Sequence, residues 1–231
     1  HVFATVDETG AVHLRKPDTG AVIVTLPERV RVGAGIVFSP DGSKLLTAGA
    51  DRICRLWNVA DGTLAVSLPG HRRHVSCMAW SPDGTTIATA SDGIEYRVWN
   101  AADGALLASR VTHSAVVTAM AFSPDSTVLA TASHDGSLQL WRYRERADDV
   151  VLAGHDAAVH CLAFSPDGAV LGTGSKDRTL RLWNVADGSP RGRPAVHDAE
   201  VVAVAFSPDS SRVVSGATDG TLGRWDTHDA E

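Results

Sequence analysis

The chain predicts an all-β fold, a β-propeller made of four-stranded antiparallel blades, and three observations carry that prediction. Trp57, Trp99, Trp141, Trp183 and Trp225 recur every 42 residues. A turn sequence keeps the same step, from Phe38-Ser39-Pro40-Asp41-Gly42 through residues 80–84, 122–126 and 164–168 to 206–210. Between these markers lie short apolar or alternating runs, bounded by Gly, Pro, Asn and Asp as strands are. Self-similarity at 40–45 residues marks units that cannot bury their own faces without neighbours, and so stack into a ring.

One unit shows each element in order. Residues 159–164 (Val-His-Cys-Leu-Ala-Phe) are nearly all apolar, which predicts a strand buried on both faces. Ser165-Pro166-Asp167-Gly168 ends that strand, with Pro presetting φ for the first central position of a type I turn. Residues 169–175 form the second strand, and Lys176-Asp177-Arg178 the next turn, where Asp can bond nearby amides. Residues 179–183 alternate and make a two-faced third strand. Residues 184–188 turn again before a short, more polar fourth strand. The four strands are named a to d outward from the ring axis.

Along the chain this gives strands b, c and d of a first blade in residues 1–26. Full blades follow at about 31–68, 73–110, 114–152 and 157–193, and a last blade supplies a, b and c over 199–226. Residues 1–231 thus read as one propeller domain of 22 strands, about five and a half repeats. An unclosed ring would leave apolar faces and strand edges in water. The expectation is therefore a natural product longer at its N-terminus, with seven blades rather than six.

Composition narrows the function classes. The net charge of −6 and pI of about 5.9 give no basic footprint for nucleic acid. The basic run Arg142, Arg144 and Arg146 is broken by Glu145, Asp148 and Asp149 and reads as a solvated loop. No apolar run reaches the roughly 18–20 residues that span a membrane. Only three of the 21 basic side chains are Lys, which with abundant Ala, Val, Gly and Asp suggests a GC-rich genome. The three cysteines lack CxxC spacing, so neither a disulfide framework nor a zinc site is indicated. Cys77 and Cys161 share a repeat slot with Ala119 and Ala203, which calls for a small apolar side chain.

The spacing and its motifs resemble the WD-repeat β-propeller family over essentially the whole chain. That resemblance implies a side-chain relay in each blade, of His before strand a, Ser or Thr in strand b, Asp in the b–c turn and Trp in strand c. His113, Thr131, Asp135 and Trp141 fit it in full, as do His155, Thr173, Asp177 and Trp183, and His197, Ser215, Asp219 and Trp225. Asp would accept from the imidazole, and the hydroxyl would bond both His and the indole N–H, so that each buried polar group has a partner. Two blades depart. Arg29 stands in the His slot beside Thr47 and Asp51, and Gly93 takes the Asp slot of His71 and Thr89, with Asp92 one residue early. Arg15 replaces Trp in the first partial repeat. These blades are expected to be less rigid.

Histidines spread one per blade are structural rather than metal ligands, and the recurring Asp-Gly pairs are turn chemistry rather than catalytic carboxylates. There is no calcium loop, GxxxxGK[ST] loop, GxSxG elbow, HExxH helix or kinase signature. The reading is therefore non-enzymatic, with no catalytic residue, metal or cofactor. In WD-repeat proteins partners dock at the mouth formed by the d–a and b–c loops. The resemblance maps that mouth to His74, Ser76 and Asp92; to Val116, Thr118 and His134; to Ala158, His160 and Lys176; and to Glu200, Val202 and Thr218. The second blade offers Val32, Ala34 and Ala50. These slots vary while scaffold slots repeat, as expected where a side chain need not support the ring. His74, His134 and His160 would raise the charge of the mouth below about pH 6.5. The chain is thus expected to be a scaffold for proteins or peptides, binding neither nucleic acid nor membrane. Its composition resembles bacterial, cytoplasmic multidomain proteins, in which such a ring follows a covalently linked kinase or NACHT-type NTPase domain as sensor or targeting module.

Overall fold

The computed structural model describes residues 2–30, 35–145 and 149–227. Val32, Ala34, Arg146 and Asp148, all used above, lie outside the described residues. The chain divides into two compact units, His1–Val111 and Thr112–Glu231, and each is described by itself.

The first unit holds three antiparallel sheets. They are β1 (Phe3–Val6), β2 (Ala11–Arg15) and β3 (Val22–Arg29); β4 (Ile36–Phe38), β5 (Lys44–Ala48), β6 (Cys54–Asn58) and β7 (Leu64–Leu68); and β8 (Val75–Trp80), β9 (Thr86–Ser91), β10 (Glu95–Asn100) and β11 (Leu106–Val111). The second unit repeats the pattern with β12 (Val117–Phe122), β13 (Leu129–Ser133), β14 (Leu138–Trp141) and β15 (Val150–Leu152). Next come β16 (Val159–Phe164), β17 (Val170–Ser175), β18 (Thr179–Asn184) and β19 (Pro190–Val196), then β20 (Val201–Phe206), β21 (Arg212–Ala217) and β22 (Leu222–Asp226). Among the described residues the fold is all-β, as the repeat spacing predicted, with strands in sequence order in every sheet.

Two local expectations are corrected. Strand a is not buried on both faces: in β16 only Val159 is buried, whereas all six residues of β17 are. The reason is position, because β16 edges its sheet while β17 has a hydrogen-bonded neighbour on either side. Nor is the fourth strand of that blade short, since β19 runs seven residues.

Packing joins successive sheets within each unit. In the first, Leu46, Leu56, Leu68, Val75, Ile87 and Trp99 form one core across β5 to β10. In the second, Leu138, Leu140, Leu152, Val159, Leu171 and Trp183 do the same across β14 to β18. Burying each such side chain contributes about 1.5–3 kcal/mol. The turn chemistry is as sequence suggested. Gly168 donates to Ser165 O at 2.8 Å and sits at φ +73°, and Asp167 Oδ1 accepts from Ser165 Oγ (2.5 Å) and Ala169 N (3.0 Å). Ser126 and Ser210 take the same left-handed corner at φ 60°.

Candidate functional site

Side-chain relays run from turn to strand, and they are built differently from blade to blade. The relay is complete around His155, where Asp177 Oδ2 lies 2.7 Å from His155 Nδ1 and His155 Nε2 lies 2.8 Å from Thr173 Oγ1. Trp183 Nε1 donates to the same hydroxyl at 2.9 Å. Burial opposes the Asp177 charge, but bonds from Thr179 and His155 hold its pKa down at about 2. Burial pushes the His155 pKa below its ordinary value, although Asp177 pulls the other way.

The other two predicted relays are built differently. His113 Nε2 meets Thr131 Oγ1 at 2.8 Å, but Asp135 Oδ1 stands 4.0 Å from His113 Nδ1. The Ser137 hydroxyl bridges them, 2.7 Å from Nδ1 and 2.6 Å from Asp135 Oδ1. Trp141 is buried, its ring tilted 5.9 Å from Tyr143. In the last blade His197 Nε2 and Trp225 Nε1 converge on Ser215 Oγ at 2.7 and 2.8 Å, while Asp219 accepts from Thr221 N (2.9 Å) and Oγ1 (2.7 Å).

The departing blades reveal what sequence reading missed. Glu28, one residue before the expected slot, takes the place of His: Thr47 Oγ1 donates to its Oε2, and Trp57 Nε1 reaches it at 3.0 Å. This buried carboxylate is matched by Arg55, which donates to Glu28 Oε1 (2.5 Å) and to both Asp51 oxygens (3.0 and 2.5 Å). The signal was an arginine two residues before Trp57 with an acid just upstream of the vacant His slot. Arg29 points elsewhere, to Thr9 O at 3.0 Å. Arg15, in the first blade's Trp slot, donates to Thr5 Oγ1 and Gly20 O, both at 2.9 Å. In the Gly93 blade, His71 Nε2 meets Thr89 Oγ1 at 2.7 Å and Trp99 donates to that hydroxyl at 2.8 Å. His71 Nδ1 is buried with no hydrogen-bond partner, and burial pushes the His71 pKa down to about 4.

The predicted mouth residues have a shared structural origin. Register shifts between Val75 and Cys77, Val117 and Ala119, Val159 and Cys161, and Val201 and Ala203 leave one extra residue in β8, β12, β16 and β20. Those extra residues are Ser76, Thr118, His160 and Val202, all predicted mouth slots, and a β-bulge is a device for re-aiming a side chain. The remaining slots are tied in pairs by main-chain bonds: Asp92 N to His74 O (2.6 Å), His134 N to Val116 O (3.0 Å), Lys176 N to Ala158 O (2.8 Å) and Thr218 N to Glu200 O (2.9 Å).

In the second unit these side chains form a line across three blades. The rings of His134 and His160 lie 6.4 Å apart, edge to face. His160 Nε2 lies 3.3 Å from Glu200 Oε2, and Lys176 Nζ lies 3.9 Å from Glu200 Oε1. Thr218 is exposed. Thr118 and Ser76 instead turn inward: Thr118 Oγ1 donates to Val159 O (2.6 Å) and Ala132 O (3.1 Å), and Ser76 Oγ to Ala90 O (3.3 Å). In the first unit His74 and Asp92 line a pocket of about 520 Å³ with Ala50, Asp51, Arg52, Arg72 and Arg73. Among the described residues no group of three or more His, Cys, Asp or Glu could hold a metal ion, and no helix is long and apolar enough to cross a membrane.

Antiparallel blades with a polar relay buried in their loops define a repeat protein that carries its variable side chains on strand-a bulges and neighbouring turns. The family described as WD domain, G-beta repeat matches residues 30–58, 62–94, 104–142, 149–184 and 188–226, well over half of the chain. The chain belongs to the WD-repeat family. The first match begins just past Glu28 and the second ends one residue past Gly93, the two places where the relay departs. No curated protein matches the chain.

Proposed function

We propose that this chain is a non-catalytic platform for proteins or peptides, docked at the face built from the strand-a bulges and b–c turns. Repeats of this family generally mediate protein–protein interaction. The observation that carries the reading is the line His134, His160, Glu200 and Lys176, where four different side chains from three blades meet at slots the scaffold leaves free to vary. The three free cysteines and the composition support a bacterial, cytoplasmic setting, with the chain as sensor or targeting module of a larger protein.

Glu200 and Lys176 are well exposed, so their ion pair contributes little to stability. Glu200→Ala, His160→Ala and Lys176→Ala are therefore expected to abolish capture of a partner retained by the wild type while leaving the thermal midpoint unchanged. Retention of every partner by all three variants would refute the platform at this face. A second reading, self-assembly, is favoured by one feature: β20–β22 expose Val202 (44%), Val214 (38%) and Leu222 (79%). A mass that rises with concentration in sedimentation would support it.

A further inference from the structure

One pocket of the first unit reverses the charge that its sister blades carry. The two residues after the relay histidine are Ser114-Ala115, Asp156-Ala157 and Asp198-Ala199 in three blades, but Arg72-Arg73 after His71. Both arginines line the 520 Å³ pocket, where Arg52 joins them from the neighbouring turn. Arg52 Nη1 donates to Arg72 O (3.2 Å) and Arg73 Nη1 to Asp92 O (3.3 Å), main-chain contacts that orient the guanidinium groups without cancelling their charge. Two acids share the wall with the three arginines: Asp92, and Asp51, which takes both nitrogens of an Arg55 that also serves Glu28. All this stands in a chain of net charge −6.

A second observation points the same way. In two sister blades a carboxylate closes these loops: Asp177 Oδ2 takes His155 Nδ1 (2.7 Å) and Asp156 N (3.1 Å), and Asp135 Oδ2 takes Ser114 N (2.6 Å). Gly93 removes that carboxylate here, and the buried His71 Nδ1 is left without a hydrogen-bond partner. The pocket thus sets three arginines against two aspartates, beside a loop that has lost its internal acid.

We propose that this pocket binds a carboxylate side chain of an acidic peptide, held by the arginines that line it. Arg presents a planar fork that matches a carboxylate in two parallel bonds, which suits this ligand better than a neutral one. The proposal rests on the platform reading and names the chemistry at two of its predicted slots, His74 and Asp92.

The test is fluorescence anisotropy of a labelled oligoglutamate peptide and its oligoglutamine counterpart with the whole chain. The wild type should bind the glutamate peptide alone, and more weakly as salt rises. Arg72→Ser with Arg73→Ala copies the Ser114-Ala115 pair, a loop this fold already accepts, and should weaken binding by about tenfold or more. Gly93→Asp restores the internal carboxylate and should also weaken binding, with the fold intact. Arg193→Asp removes as much charge from exposed β19 in the other unit and should leave affinity unchanged. Equal binding of both peptides, no effect of the paired substitution, an equal loss with Arg193→Asp, or binding only of a phosphoserine peptide would each overturn the proposal. If a protein partner is meanwhile lost on Glu200→Ala, the platform stands and only this pocket fails.

Discussion

At the scale of single residues the relay shows how one fold accepts different chemistry for one task. A strand Thr and a strand Trp need a buried acceptor, which His155 supplies in one blade and Glu28 in another. The carboxylate requires a counter-ion, and Arg55 provides it from two residues before Trp57. Breaking a buried pair leaves an uncompensated charge, so Glu28→Ala is expected to cost about 2–3 kcal/mol, less than the usual extreme because Asp51 still holds Arg55. A urea titration that finds less than about 0.5 kcal/mol would show the pair to be dispensable. His113, His155 and His197 could be placed from the family resemblance together with their constant offset from the repeated Trp. Glu28 could not, since it sits one residue off the repeat and acts through a longer side chain. Nor could spacing show that Ser137 stands between Asp135 and His113, which depends on the set of the turn by a fraction of its length.

At the scale of elements, strand positions were legible because turn residues and alternation agree in every repeat. Burial was less so. A run such as 159–164 reads as fully buried, yet its place at a sheet edge lies outside the information in the run. The β17 strand explains how the next sheet gets close enough to cover it. A Cβ on Gly174 would stand 2.6 Å from Val201 Cγ1 and 2.7 Å from Cys161 Sγ, and one on Gly172 3.0 Å from Val204 Cγ1. Two glycines thus open room for the side chains of β20. Gly174→Val should force those neighbours apart and destabilise the second unit by about 1–3 kcal/mol, read as a lower denaturation midpoint. Cys161, against the same glycine, has its thiol pushed up to about 11 by burial. This agrees with a packing role for the slot it shares with Cys77, Ala119 and Ala203. The bulges at the proposed mouth slots were not legible, because a bulge is a pairing relationship between strands and leaves no mark in strand a by itself.

At the scale of the whole molecule the buried histidines tie stability to pH. Burial lowers the pKa of His71, His113 and His155, to about 4 at His71, from an ordinary value of 6.5. Each is therefore neutral in the fold and binds a proton more readily once the chain unfolds. Where the unfolded state binds more protons, stability rises with pH. This contribution is complete above about pH 6.5 and is lost progressively as pH falls toward 4. A second loss follows at lower pH, because Asp177 is held down at about 2, and its contribution, present above the ordinary carboxylate range, disappears as pH falls through that value. The urea midpoint should thus decline between pH 7 and 4 and continue to decline below it. His71→Gln should remove part of the first loss without touching the second. A midpoint constant from pH 7 to pH 4.5 in the wild type would mean that these imidazoles are solvated in the folded chain, and that the relays do not set its acid limit.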